Sequence, residues 1–448
     1  MKIKLIQPAM IQRPMDTKLK TRMAPSLALL TLANLTPKEH EVIIENENVE
    51  SINFDEKVDL VAITVTVDVM NRAIEIAKEF RKRSVKVVAG GIHITADPKG
   101  AYGYFDAICV GMAERIWQRI LFDAQNDSLK EIYNDMLSIS GQEIVSPDYD
   151  IIDNSKYLYT NIISTSRGCP FECDFCYNSS QSVHKAYINR PIEDVIREIK
   201  TLRTRHIMFI DDNFIGNPSW TKKFLAQIKP LGLKYNAAVT SNIVDMPDIL
   251  DDLKESGCQS LFIGFESIND KAIDSVNKVQ NSVGKYERLV EELHKRGIMI
   301  NASFVFGLDE DDSSVFEKTL DWIVKNKIET VTSHILTPYP GTRLYENLHK
   351  QGRITDFDLS KYNTANVVYR PKNMTQEELY DGYLWIYKEV YSFKNIIKRL
   401  PSSKKQWIPY LAFNLLYRRF GKLTEKVCEI ISFRRVGSIT RWFSYNIK

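Results

Sequence analysis

The chain has 448 residues, too many for a single ordinary core, so two or three domains are expected. Its 44% hydrophobic and 26% charged residues are ordinary globular proportions and exclude wholesale disorder; no internal repeat or low-complexity tract is present. The net charge of +3 conceals an asymmetry: residues 394–448 hold thirteen Lys or Arg against two Glu, a local +11 that leaves −8 for the residues before them.

In chain order, the first 120 residues alternate between strand and helix. "KIKLIQP", "HEVIIEN", "DLVAITVTV", "VKVVAGG" and "DAICVG" read as strands, and "SLALLTLANL" and "MNRAIEIAKEFRKR" as helices. Short apolar runs between helical stretches predict a parallel sheet covered on both faces, a doubly wound Rossmann-like α/β unit over 1–125. A ligand of such a unit sits beyond the carboxyl ends of the strands, where the chain places Thr64, Thr66, Gly90, Gly91, His93, Thr95 and Gly111. Tight βα turns explain the same glycines without any ligand. No GxGxxG follows the first strand, so a dinucleotide site is not expected.

Residues 126–158 are polar and mixed and read as the connection to a second domain over 159–370. There the alternation resumes with six strand candidates: "NIISTS", "HIMFIDD", "YNAAVTS", "SLFIGFE", "NASFVFG" and "TVTSHIL". Six βα units in a row predict a partial TIM-like (β/α)6 barrel with its chemistry at the strand C-termini. Polar residues gather at those ends: Asp211, Asp212 and Asn213; Ser241 and Asn242; Glu266 and Ser267. From 371 to 448 the pattern is helical, ending in a basic and aromatic segment. His206, His294 and His334 read as packing or surface residues, and Cys109 and Cys258 as buried small apolar ones.

The six cysteines form no disulfide framework, and three of them crowd into "SRGCPFECDFCYNSS" as Cys169, Cys173 and Cys176. Thiolates favour zinc, copper(I) or iron–sulfur clusters. A structural zinc takes four closed ligands, whereas three thiolates on a four-iron cluster leave one iron free for another molecule. A zinc knuckle completed by His184, a non-catalytic metal-stabilised binding module, or three unrelated thiols are the competing readings.

C-x3-C-x2-C directly after a first barrel strand resembles the radical S-adenosylmethionine (SAM) superfamily. The resemblance implies that the three cysteines hold a [4Fe-4S] cluster whose open iron chelates SAM. Reductive cleavage of SAM, fed by an external electron donor of flavodoxin or ferredoxin type, then yields a 5′-deoxyadenosyl radical. It also implies that Phe175 packs near the adenine, and that Asp211, Asp212, Asn213, Ser241, Asn242, Glu266 and Ser267 are candidate SAM contacts. "APSLALLTLANLTPKEHEVIIEN", "VVAGGIHIT" and "DAICVGMAE", with "FIDDNFIGN", "TPYPGTRLYENL" and "PKNMTQEELYDGYLWIYKEVYS", resemble the cobalamin-binding members, such as the hopanoid methylases and the anaerobic magnesium-protoporphyrin cyclase. That likeness implies a cobalamin seat at Thr64, Thr66, Gly90, Gly91, His93 and Gly111, and C-methylation of an unactivated carbon. Cyclisation or rearrangement without methyl transfer is the alternative outcome. The chain departs from the pattern by lacking DxHxxG, by carrying Glu39 where a glycine is usual, and by reading "GMAE" in a glycine-rich turn; bulk there narrows a corrin groove.

Without an apolar h-region in "MKIKLIQPAM", and with "IPYLAFNLLY" half the ~20 residues of a bilayer span, a cytoplasmic protein is expected. The basic aromatic tail fits an anionic membrane surface, and with it a lipid-like substrate; it fits equally a helical cap whose arginines are solvated. Nucleic acid has no further support in the sequence.

Overall fold

The computed structural model describes residues 1–135, 139–183, 187–202 and 204–446. His184 therefore lies outside the described residues. Two six-stranded sheets, each wholly parallel, organise the chain. The first contains β1 (Lys2–Gln7), β2 (Glu41–Asn46), β3 (Leu60–Thr64), β4 (Lys86–Gly90), β5 (Ala107–Gly111) and β6 (Ile132–Asp135), in the spatial order β2-β1-β3-β4-β5-β6. Alternation along β3 divides its side chains between two cores. Val61 and Ile63 pack with Met70, Ile76 and Phe80 of the helix Met70–Lys82; Leu60 and Ala62 pack with Leu29, Trp117 and Ile120 on the other face. Burial on both faces is why these strands are apolar throughout. The strand order reverses between β1 and β3, which opens a crevice at the carboxyl ends there. The segment read as a connection supplies β6, paired in parallel with β5 through Ile108↔Ile132 to Gly111↔Asp135.

The second sheet begins at β7 (Ile162–Ile163). A small antiparallel pair follows, β8 (Ser166–Arg167) with β9 (Ile188–Asn189). The sheet continues through β10 (His206–Phe209), β11 (Lys234–Val239), β12 (Cys258–Glu266), β13 (Met299–Phe306) and β14 (Thr330–Ile335), each beside its predecessor in the sheet. Here the two faces differ. Phe209, Tyr235, Ala237, Leu261, Ile263, Ile300, Ala302 and Val331 join one large core with the outer helices. The opposite face gathers polar groups around the 38% exposed Phe262, with Ser260 Oγ bonded to Asn236 Oδ1 (2.9 Å) and Thr332 Oγ1 to Asn301 Oδ1 (3.4 Å). A face that excludes helices and gathers hydrogen-bonding groups is a surface for ligands.

Helix Gln376–Val390 starts at a Thr375/Glu378 capping box and buries Leu379, Tyr383, Ile386 and Tyr387. Beyond it the arginines of the tail divide, with Arg419, Arg434 and Arg435 exposed and Arg399 drawn inside. Arg399 is fully buried, donating to the Ile328, Glu329 and Val390 carbonyls, while Leu423, Ile430 and Trp442 are 62%, 85% and 55% exposed. Among the described residues no helix is long and apolar enough to cross a membrane.

Candidate active site

The cysteine loop leaves the second sheet through β7 and β8. Its root is tied by Asp211, whose Oδ1 accepts from Thr165 N (2.8 Å), Thr165 Oγ1 (3.0 Å) and Ser166 Oγ (2.5 Å). Further along, Arg343 grips it: Nε donates to Asp174 Oδ1 at 2.8 Å and Nη1 to Glu172 Oε2 at 3.1 Å. The Leu344 amide adds a bond to the Asp174 carbonyl (3.0 Å). The "TPYPGTRL" turn is thus the clamp of the loop. In the same turn the Gly341 backbone lies so close to Ala96 of the first layer that a Cβ would stand 2.2 Å from the Ala96 carbonyl oxygen.

Cys173 is buried, and Cys169 and Cys176 are half-buried. Burial pushes the Cys169 and Cys176 thiols up, the latter to about 11, while the Phe171 and Asn178 amides bond their sulfurs and pull the other way. The three thiols are electrostatic neighbours of one another. Gln280 Nε2 lies 3.4 Å from Cys173 Sγ. Beside them Lys278, buried, donates to Glu266 Oε1 at 2.5 Å and sits 5.7 Å from the Phe175 ring centroid. Burial pulls the Lys278 pKa down, but Glu266, Cys173 and Cys176 together more than offset this and leave it raised. Amides and a buried cation around three thiols are the donor environment that anionic sulfur ligands require. Among the described residues no three His, Cys, Asp or Glu side chains are placed to hold a single metal ion.

Glu266 itself is strained. Its φ is +62°, at the point where the β12–β13 register shifts between Gly264 and Glu266. A left-handed non-glycine residue costs about 1–3 kcal/mol and persists where surroundings over-determine it, typically at functional sites. A Cβ on Gly264 would stand 2.3 Å from Glu266 Oε1 and 2.9 Å from Lys278 Nζ, so the pair occupies the space that this glycine vacates.

The remaining strand-end candidates divide. Burial raises the Asp211 pKa to about 6, and its Oδ2 has no hydrogen-bond partner, an acceptor left free in a buried place. Asp212 is also raised by burial, opposed by Arg167. Asn213 is spent on the fold, bonding Thr240 Oγ1 (3.3 Å) and the Ile215 amide (3.4 Å). Ser267 Oγ accepts from the Asn269 amide (3.2 Å) and organises the turn after β12. Ser241 and Asn242 line a cavity of about 290 Å³ together with Phe171, Gln280, Asn281 and Lys285.

A second cavity of about 300 Å³ lies on the other side of the loop, between it and the first sheet. Thr64, Gly90, Gly91, Thr95 and Gly111 form its floor; Arg167, Gly168, Asn178 and Asp212 face them from the cysteine loop and β10 end. Arg167 is tied across it to Glu114, Nη2 to Oε1 3.6 Å. Leu32, Leu35, Trp117 and Val183 make the wall apolar. Gly91 has φ +112° and packs on Val65, so backbone geometry alone demands it. Thr66 and His93 do not line the cavity: Thr66 Oγ1 is bonded to Asp68 (2.7 Å), and His93 is buried in the helix Ile92–Ala96, where burial lowers its pKa to about 4. Of the sequence departures, Glu39 is an exposed turn residue at the amino end of β2 and does not line this cavity, whereas Met112, Ala113 and Glu114 do. Lys278, Gln280 and Arg343 are the site residues that sequence reasoning did not single out; only the quoted "TPYPGTRLYENL" signalled one of them.

A family model described as the Radical SAM superfamily matches residues 163–323, and one of a domain of unknown function matches 342–428. The chain is 30% identical over 414 residues to bacteriochlorophyllide d C-12(1)-methyltransferase of Chlorobaculum tepidum, covering 90% of each. It is 30% identical over 400 residues to the bacteriochlorophyllide d C-8(2)-methyltransferase of the same organism, covering 83% of this chain and 87% of that enzyme. Among solved structures, the cobalamin-dependent S-adenosylmethionine radical enzyme OxsB, with aqua-cobalamin bound, superposes on 93% of this chain and 71% of its own with a TM-score of 0.67 at 15% identity, a likeness of fold.

Proposed function

The chain belongs to the radical SAM superfamily, and from that premise we propose that it is a cobalamin-dependent C-methyltransferase acting on an unactivated carbon of a small molecule. The observation that carries the reading is the position of the three-thiol loop, between a glycine-floored apolar cavity of one parallel sheet and the polar face of another. In this reading residues 1–135 form a Rossmann-like cobalamin-binding domain and 159–370 an open (β/α)6 barrel. The donor sets fit. Cys169, Cys173 and Cys176 hold the [4Fe-4S] cluster. Asp211 Oδ2, unpartnered and buried, suits the ammonium of SAM, with Phe175, Asp212, Ser241 and Asn242 around it. Thr64, Gly90, Gly91 and Gly111, with Thr95, floor the corrin seat, from which Thr66 and His93 are released.

When bound, the cluster would pass an electron from the external donor to SAM, breaking its C5′–sulfur bond to give methionine and a 5′-deoxyadenosyl radical, and cobalamin would supply the methyl group. The protein's share is orientation and exclusion of water. Lys278 places fixed positive charge beside Cys173 and Cys176, Gln280 donates to Cys173, Asp211 holds the loop root, and Arg343 holds its far side. An external electron donor is part of the proposal. So is peripheral contact of the C-terminal helices with an anionic membrane, supported by exposed Leu423, Ile430 and Trp442 among lysines and arginines.

Anaerobic reconstitution with iron, sulfide and cobalamin tests the reading. About four irons per chain, 5′-deoxyadenosine formed on reduction with SAM, and label from methyl-labelled SAM in the product are expected. Label-free product points instead to cyclisation or rearrangement. One tight zinc and no 5′-deoxyadenosine refute the enzyme reading altogether.

A further inference from the structure

Away from both cavities, a buried cluster of cations lies where the loop after β1 meets β14 and the C-terminal helices. Arg13, 5% exposed, donates to Asp16 through Nε (2.8 Å) and Nη2 (3.2 Å), and to Thr364 Oγ1 through Nη1 (3.1 Å). Lys20 Nζ bonds the same Asp16 at 2.8 Å. His334 Nδ1 stands 3.0 Å from Thr364 Oγ1 and 3.5 Å from Arg13 Nη1, and burial with the surrounding cations holds its pKa down, at about 3. Arg418 enters from the other side, in a stretch, Ala412–Arg419, wound as a π-helix. Such segments are rare and concentrate at functional sites.

Arg418 carries the argument. Its guanidinium lies 5.2–5.7 Å from the ring centroids of Tyr417, Phe413, Tyr391 and Tyr387, yet among the described residues it has no hydrogen-bond or ion-pair partner, and its Nε is buried and unsatisfied. The Tyr383 hydroxyl beside it, fully buried, is unsatisfied as well. Arg13 and Lys20 thus share one carboxylate, Asp16, which is only an electrostatic neighbour of Arg418. Aromatic faces attract a guanidinium but do not neutralise it, and buried polar groups are left unpaired only where something else pairs them. Thr364 adds a strained backbone, φ +65° at a β-branched residue, in the same place. His334 and Arg418 are desolvated, yet each keeps part of its surface open.

A stacked pair of rings links this cluster to the cysteine loop. Tyr339 stacks on Tyr177, next to Cys176, at 5.0 Å between ring centroids, and its electrostatic neighbours include both Cys176 and Arg13. We propose that this cluster anchors an oxyanion of the substrate, a carboxylate or a phosphate, with the unpaired Arg418 guanidinium and Arg13 as the cationic groups and the Tyr383 hydroxyl as a donor. The substrate class is then an aromatic or apolar small molecule bearing one anionic group remote from its reacting carbon. The proposal rests on the methyltransferase reading in one respect only, that the molecule held here is the one modified.

Calorimetric titration of the full chain in low-chloride buffer with benzoate, phenyl phosphate and, as a neutral control, benzyl alcohol tests it. One equivalent of benzoate or phenyl phosphate binds and benzyl alcohol does not; which anion binds more tightly identifies carboxylate or phosphate. Arg418→Gln weakens binding about tenfold or more, Arg418→Lys less, and exposed Arg435→Gln not at all. Tyr383→Phe, which removes only the unsatisfied hydroxyl, weakens it several-fold and keeps the test intact if the glutamine variant does not fold. No binding of either anion to the wild type, or equal binding to the wild type and to the folded Arg418 or Tyr383 variant, overturns the proposal. Reductive SAM cleavage by the reconstituted wild type is a separate measurement. Its absence with anion binding intact defeats the methyltransferase reading alone, and the reverse result defeats the anchor alone.

Discussion

Replacing Lys278 by Met keeps the unbranched stem and removes the ammonium, leaving Glu266 buried without its partner. The two side chains are 7% and 8% exposed and 2.5 Å apart, so the interaction is scarcely screened. Breaking such a pair from one side costs about 3–5 kcal/mol, nearly all of it the stranded charge. In the double variant Lys278→Met/Glu266→Gln no charge remains, and the cost falls to about 1–2 kcal/mol for hydrogen bonds no longer made. The double variant is then about 2–3 kcal/mol more stable than the single one. Urea unfolding followed by tryptophan fluorescence reads it, because Trp322 lies 5.4 Å from the Phe265 ring next to Glu266. At an m-value of about 2 kcal/mol/M the single variant shifts the midpoint down by roughly 1.5–2.5 M and the double variant recovers more than half. A single-variant loss below about 1 kcal/mol, or a double variant no more stable than the single, refutes the claim that these groups are desolvated against each other.

Asp211→Asn changes the pH dependence of stability. With a folded pKa of about 6 against about 3.9 unfolded, the wild-type folded state holds the extra proton, so stability falls as pH rises from about 4 to 6 and is level above that. The variant lacks this decline, worth up to roughly 3 kcal/mol; parallel melting curves from pH 4 to 7 contradict it. Arg343→Ala loosens the loop clamp without touching a sulfur, and iron is expected to be lost to chelator about tenfold faster, with unchanged loss as the contrary outcome. Serine at Leu423, Ile430 and Trp442 together lowers cosedimentation with anionic vesicles; unaltered partition removes the membrane from the proposal.

The βα alternation was legible because it rests on periodicity, which burial on two faces of β3 or on one face of β14 writes directly into the sequence. Strand β6 was hidden because "IYND" is four residues long and half polar, as an edge strand can be. The thiol loop was legible because its spacing is local. Its partners were not. Lys278 follows β12 by twelve residues in a stretch without periodicity, and Arg343 lies more than 160 residues from the loop it grips, so only the folded chain unites them. His93 misled for a related reason: it stands at a strand's carboxyl end, but the helix Ile92–Ala96 turns its side chain into the core. In the tail, composition recorded the charge of Arg399 and Arg418 but not that both are drawn inside.

The seam at Gly341 fixes a length. One turn touches the Ala96 carbonyl through the Gly341 backbone and the cysteine loop through the Leu344 amide on the Asp174 carbonyl, so the span from the first sheet to the thiols is set by main chain that has no rotamers to relax. The Arg13–Arg418 cluster hangs instead on side chains from several separate segments. Substitutions among those side chains therefore leave the distance from the first sheet to the thiols unchanged.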